Sequence, residues 1–220
     1  MGTKYFEVRP LQVGDIVFML TTTLTTIELS VIAILGGLLL GVIVGVCRSS
    51  TVRGVNIPAR VYVELFRGVP ILLQIFMFYY GLKILGIRMP ALLSASMAFV
   101  FNVAANVGET LRGIILSIPK SQWEAAACLG LPYLAQLRYV ILPQVVRAAI
   151  PPSIGIMVGL IKDTSLASII GFVELTRSGA LIMAVTMNPY TAFPLIAGIY
   201  FLVCFPLTQT SRWLEKALTL

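Results

Sequence analysis

The sequence predicts an all-α integral membrane protein with five transmembrane helices and a polar helical element between the third and fourth. Three observations carry this. Of the 220 residues, 58% are hydrophobic and only 11% charged, far from a soluble domain's average. Uncharged runs are long: Glu28 is the one charged residue between Asp15 and Arg48, and none lies between Arg88 and Glu109 or between Arg177 and Arg212. Each run approaches or exceeds the ~20 apolar residues that a helix needs to cross a hydrocarbon core. Finally, one stretch amid these runs, Glu124 to Pro143 (EAAACLGLPYLAQLRYVILP), is too polar for lipid and too well patterned for a slack loop.

Taken in order, the first span carries TTTLTTIELS on its outer half and Gly36, Gly37, Gly41 and Gly45 on its inner half. Such small residues let another helix approach closely. Glu28 is either a pathway carboxylate or a residue of the outer interface. The second span, Gly68 to Leu82 and extendable past Lys83, follows ARVYVELFRGVP, which sets Glu64 and Arg67 three apart on one helical face. Pro70 falls in the first turns of a helix or at a kink, and FMFYYGL suits an outer-interface belt. The third span ends near Glu109 and Arg112, again three apart. That pair closes the inner mouth as a gate or merely finishes the helix. Asn102, deeper in the same span, lines a pathway or hydrogen-bonds a neighbouring helix.

In the polar stretch, Ser121 and Glu124 have capping-box spacing, and Ala125, Ala126 and Ala127 are strong helix formers. Gly130 stands where a left-handed residue ends a helix, and Pro132 where another starts. The second helix carries Tyr133, Leu134, Leu137 and Tyr139 before ILP restarts the chain toward the membrane. The expectation is a compact cytoplasmic helix–turn–helix over about residues 120–143. It either fits a groove in another protein or lies on the bilayer surface; the small apolar face and few basic residues favour docking. The fourth span, Ala148 to Ile161, has only 14 uncharged residues, too few for ~30 Å at about 1.5 Å per residue. A helix ending inside the bilayer at Lys162-Asp163-Thr164-Ser165 leaves carbonyls that are tolerated only against protein or a wet cavity. Asp163 there offers a carboxylate to an ammonium group, and Thr164 and Ser165 offer hydroxyls to a carboxylate or amide. Alternatively, Asp163 caps the next turn or pairs with Lys162. The fifth span fills the run from Arg177 to Arg212.

Charge and composition exclude several classes. Histidine is absent, and Cys47, Cys128 and Cys204 are scattered, so neither a metal site nor a disulfide framework is expected. The N-terminus lacks a signal-peptide layout, and the first apolar segment reads as retained. The net charge of +7 reports membrane topology, so lipid rather than nucleic acid is the expected surrounding. With the N-terminus outside, the inner segments hold Arg48, Arg53, Arg60, Arg67, Arg112, Lys120, Arg138, Arg147, Arg212 and Lys216, and the outer ones Lys4, Arg9, Lys83, Arg88, Lys162 and Arg177. This excess places the C-terminus in the cytoplasm. No internal repeat appears, residues 1–220 read as one membrane domain, and five helices alone enclose a poor pathway, so a dimer or pseudo-dimer is expected.

The polar stretch also resembles the EAA loop of bacterial ABC importer permeases: Glu124-Ala125-Ala126, then Gly130, then Leu142-Pro143, with Val140 where isoleucine is usual. ELFRGVP at 64–70, SIPKSQWEAA at 117–126 and IKDTSLASIIGFVELT at 161–176 are similar to the polar amino-acid branch of that family, while Asn106 and Gly108 depart from its pattern. The resemblance covers nearly the whole chain. It implies a type I importer permease, homo- or heterodimeric, with a pair of ATPase subunits inside and a solute-binding protein outside. Glu124, Ala125, Ala126, Gly130 and Leu131 then form the ATPase-docking surface. The residues agree on one point: no G-x-x-x-x-G-K-[ST] occurs, so ATP and magnesium belong to the partner ATPase, and this chain has neither cofactor nor catalytic residue. The expected function is ATP-driven uptake of a polar amino acid, cationic or neutral rather than glutamate. The alternative is an ATP-independent carrier or ion channel in which Glu28, Glu109 and Asp163 relay protons or cations; a structural membrane scaffold is a third possibility.

Overall fold

A computed structural model of the protein describes residues 9–218. Lys4 of the charge count and the Leu134 side chain lie outside the described part. The first helix, α1 (Val13–Ser49), is held at its start by Asp15. The Asp15 carboxylate accepts the Gln12 N–H at 2.9 Å and a two-pronged Arg9 guanidinium at 2.7 Å on each oxygen. These hydrogen bonds raise the Arg9 pKa above its ordinary value.

The two halves of α1 do different work. Its threonines hydrogen-bond the segment around α9 (Leu175–Thr186): Thr22 Oγ1 donates to Ser178 Oγ at 2.9 Å, Thr25 Oγ1 to the Val173 carbonyl at 2.9 Å, and Thr26 Oγ1 accepts the Leu175 N–H at 3.1 Å. Its glycines pack on α5 (Ala91–Ser117), the third apolar span. A Cβ added at Gly37 would strike Val103, one at Gly41 would meet Val107 at 2.8 Å, and one at Gly45 Leu111 at 2.9 Å. The contact is reciprocal, because a Cβ on Gly108 of α5 would meet Val44 at 2.6 Å. The helix-packing reading of these glycines therefore holds. A core of Leu29, Ala33, Ile75, Ala98, Phe99, Val103 and Leu160 fills the space around this pair.

Between α1 and α5 the chain forms α2 (Arg53–Gly68), then α3 (Ile71–Phe76), a π-helical turn (Met77–Gly81) and the short α4 (Leu82–Ile84). Pro70 disfavours helical torsions at Val69 and ends α2 there, and the path bends by 105°. The bend exposes carbonyls at the end of α2. Gln74 Nε2 donates to Phe66 O at 2.8 Å and to Val69 O at 2.7 Å, and Asn102 Nδ2 reaches Phe66 O at 3.0 Å. On α2, Glu64 takes Arg60 as its partner at 2.7 Å, not Arg67 as the three-residue spacing suggested.

Two expectations about the second half of the chain need correction. The helix α6 (Lys120–Cys128) has Pro119 at its N-cap, with no side-chain cap, so Ser121 lies inside the helix and its capping box with Glu124 does not form. The second arm of the helix–turn–helix is not separate either. From α7 (Tyr133–Ala135) the chain runs through a π-helical stretch (Gln136–Ile141) directly into α8 (Leu142–Asp163) and then a 3₁₀ helix (Thr164–Ile170). Pro143 cannot donate one turn back and crowds the carbonyl there; the wider π turn accommodates it. The fourth span is thus a 35-residue helical rod, Gln136–Ile170, far longer than the apolar count, although its α-helical part does end at Asp163, where the winding tightens to 3₁₀. The apolar count stopped at charges that the helix simply passes through. The rod ends at Gly171, which is left-handed with φ 85°.

The uncharged run from Arg177 to Arg212 is likewise two helices, α9 and α10 (Pro189–Leu218), separated at Met187 and Asn188. Met187 is left-handed at φ 49°, and Asn188 precedes a proline, a position biased away from helix. Among the described residues, four helical segments are long and apolar enough to cross a membrane: Val13–Ser49, Ala91–Ser117, Gln136–Ile170 and Pro189–Ala217. The bent pair Arg53–Gly68 and Ile71–Ile84 makes a fifth if it counts as one span.

Candidate solute site and docking helix

Asp163 and Asn102, far apart in sequence, line one cavity. It measures about 210 Å³ between α5 and α8, and Phe99, Val103, Asn106, Ile156, Gly159 and Leu160 complete it. Asn106 lies one turn from Asn102 on the same face of α5. Its Nδ2 donates to both Asn102 O and Asn102 Oδ1 at 3.0 Å, so both of its N–H groups are used. Asn102 spends one N–H on Phe66. What remains to face a ligand is the Asp163 carboxylate and Asn106 Oδ1 as acceptors, and one Asn102 N–H as donor. Asp163 makes no side-chain cap on the 3₁₀ helix that follows.

Thr164 and Ser165 are not among the residues that line this cavity. Thr164 is fully buried, and its hydroxyl donates to Ile161 O at 2.7 Å. Behind it lies a polar cluster absent from the sequence reading. Glu174, fully buried, caps α9 by accepting the Thr176 and Arg177 N–H groups at 2.8 Å, and accepts Tyr200 Oη at 3.0 Å. Tyr200 Oη also lies 3.1 Å from Thr176 Oγ1. A capping carboxylate just before the apolar run from Leu175 was the available signal.

Toward the far end of α5, Glu109 and Arg112 form the expected pair at 3.0 Å. Arg48, from the last turn of α1, adds a second cation 3.3 Å from the other carboxylate oxygen. Sequence spacing could not show this, since the two residues are joined only by the glycine-mediated packing of α1 on α5. Glu28 is exposed on the surface of α1.

Beyond α5, α6 ends at a glycine turn. Gly130 has φ 71°, its N–H donates to Ala127 O at 2.9 Å, and the Leu131 N–H returns to Ala126 O at 3.3 Å. That pair of bonds is the Schellman pattern. Trp123 stacks on Tyr133 across the turn with centroids 5.8 Å apart, and Gln136 Nε2 donates to Leu131 O at 2.7 Å. The turn is therefore rigid. Glu124, Ala125 and Gly130 are exposed and Leu131 half-buried, whereas Ala126 is buried. Leu129, Tyr133 and Tyr139 are 79%, 64% and 68% exposed, an apolar set with little cover in the chain itself.

The family described as binding-protein-dependent transport system inner membrane component matches residues 37–220. The chain belongs to this family. Among curated relatives, the probable amino-acid ABC transporter permease protein YckA of Bacillus subtilis (strain 168) is 36% identical over 87% of this chain and 84% of its own length. The L-cystine transport system permease protein TcyB of the same organism is 37% identical over 88% and 83%. Among solved structures, the crystal structure of an amino acid ABC transporter with histidines superposes with a TM-score of 0.88 at 28% identity, covering 95% of this chain and all of that one.

This permease is thus an all-helical transport subunit of the inner membrane, and ATP hydrolysis belongs to a separate subunit of the assembly. A second permease subunit completes the membrane part. Within the permease, Asn102 and Asp163, which the sequence singles out separately, line one cavity, and Asn106 joins them. Asn106 departs from the family pattern, and its spacing of four from Asn102 on α5 is the signal that sets it on the same face.

Proposed function

We propose that this permease passes a polar amino acid, cationic or neutral, through the cavity beneath Asp163, with an external solute-binding protein delivering it. The observation that carries the reading is the chemistry of the cavity. Two acceptor groups, Asp163 and Asn106 Oδ1, face the space against a single free N–H of Asn102. Such a site suits an ammonium group and repels a second carboxylate. The relatives named for amino acids and L-cystine support the substrate class.

The exposed side of α6, with Glu124 and Ala125, and the Gly130–Leu131 turn form the ATPase-docking surface, joined by Leu129 and Tyr133. This surface lies in the cytoplasm and the N-terminus outside, in line with the excess of inner cations. Because the helix that starts at Tyr133, just past the docking turn, continues without a break into α8, a push on α6 moves the rod that carries Asp163. Closure of the ATPase pair then exposes the cavity to one side of the membrane and its reopening to the other. Glu109, clasped by Arg48 and Arg112, is the inner gate.

The test is reconstitution with the ATPase subunit in vesicles. Uptake of amino acids delivered by the binding protein is expected to require ATP hydrolysis and to persist without ion gradients. Uptake driven by a proton or sodium gradient in the absence of ATP would reject the reading in favour of a secondary carrier.

A further inference from the structure

Two helical turns from Asn102 toward the docking end, roughly 10 Å along α5, a second recess opens. It is about 430 Å³, set between α1, α2 and α5, and lined by Arg48, Val63, Glu64, Arg67, Gly68 and Glu109. Its charges are not mutually exhausted. Glu64 is held by Arg60 and Glu109 is shared by Arg48 and Arg112, but Arg67 makes no ion pair among the described residues. Arg48 Nε and Glu109 Oε2 are buried, and although 3.3 Å apart neither makes a hydrogen bond.

We propose that this recess is a second amino-acid site on the release side, reading the zwitterion and not the side chain. The α-carboxylate lies against Arg67 and Arg48, and the α-ammonium against Glu64 and Glu109. The inference rests on the amino-acid reading given above. Guanidinium groups bind carboxylates in forked geometry; because Arg60 and Arg112 offset the two carboxylates, an inorganic anion is the competing occupant that the experiment has to separate. Val63 and Gly68 supply little apolar wall, so nothing in the recess selects a side chain. Glu64 and Arg67 have little cover within the chain itself, and pairs so open to screening keep the site weak. Weak binding is what a release site needs. A solute leaving Asp163 meets opposite charges for both of its ends before it reaches solution.

Saturation-transfer NMR on the nucleotide-free permease–ATPase assembly, without binding protein and with glutamine as probe, tests this. In an Asp163→Asn background, weak glutamine binding is expected to remain, to be competed by glycine, and to resist equal concentrations of sulfate or acetate. Arg67→Gln in that background is expected to weaken it about tenfold or more, and Arg67→Lys to recover part of it. Loss of all binding in Asp163→Asn, indifference to Arg67→Gln, or competition by sulfate as strong as that by glycine would overturn the second site. If Asp163→Asn changes nothing while Arg67→Gln removes binding, the outer cavity is the assignment that fails.

Discussion

The Asn102 side chain donates to the Phe66 carbonyl at 3.0 Å, tying the middle of α5 to the last turn of α2. Gln74 donates to the same oxygen at 2.8 Å from beyond the 105° bend. One carbonyl therefore joins a wall of the solute cavity to this bend, and a helix end that would otherwise be unpaired in the membrane is satisfied twice.

Substitution separates these roles. Gln74→Leu removes the support at the bend but leaves the cavity lining intact, so thermal stability is expected to fall by about 1 kcal/mol with uptake affinity unchanged. Asn102→Leu is expected to lower stability similarly and also to raise half-saturation for uptake. Together they strip Phe66 O of both side-chain donors, and the double variant is expected to lose more than the sum. Simple additivity in detergent melting curves would show that the shared carbonyl is unimportant.

The α1–α5 seam makes a second, independent prediction. Gly41→Val places a side chain where even a Cβ lies 2.8 Å from Val107, and overpacking of this kind costs about 1–3 kcal/mol. Gly113→Ala, on the same α5 but with nothing within 4 Å of the new Cβ, is expected to be neutral or slightly stabilising. Melting temperatures of the two purified variants check the contrast.

The docking turn is tested by Gly130→Val. A β-branched residue held at φ 71° is strained by about 1–2 kcal/mol, and the Schellman bonds loosen. Membrane insertion is expected to survive while ATPase association falls. Unchanged recovery of the ATPase in detergent pull-downs would count against docking through this turn.

Much of this was legible in the residues. Long uncharged runs marked the membrane helices because few other segments can afford so little charge, and Gly130 announced a left-handed turn. What was not legible depended on continuity. Arg147 and Lys162 made the fourth span look short, yet charged side chains do not stop backbone hydrogen bonding, and the helical rod extends beyond both, as π helix before Leu142 and as 3₁₀ helix after Asp163. The break at Met187 left no charge behind, so the run from Arg177 looked like one helix although Asn188-Pro189 was the stop signal. The cavity was half legible: Asn102 and Asp163 were singled out separately, but their meeting depends on how α8 lies against α5.

Topology is checked by thiol labelling. Cys128 is exposed on α6 and Cys204 is buried. In sealed right-side-out vesicles, a membrane-impermeant maleimide is expected to spare Cys128, and in inverted vesicles to modify it, with Cys204 slow in both. Labelling of Cys128 from outside would reverse the orientation and remove the docking role.

The most direct test of the central claim is the dose–response of amino-acid uptake by Asp163→Asn permease in reconstituted vesicles. The substitution keeps the shape and removes the charge, so an ionic contact to the ammonium becomes a neutral one. Half-saturation is expected to rise ten- to a hundredfold, about 1.5–3 kcal/mol, with basal ATPase activity and assembly near normal. Asparagine is as good a helix cap as aspartate, so a merely structural Asp163 would leave uptake unaltered. Wild-type half-saturation in Asp163→Asn would contradict the account.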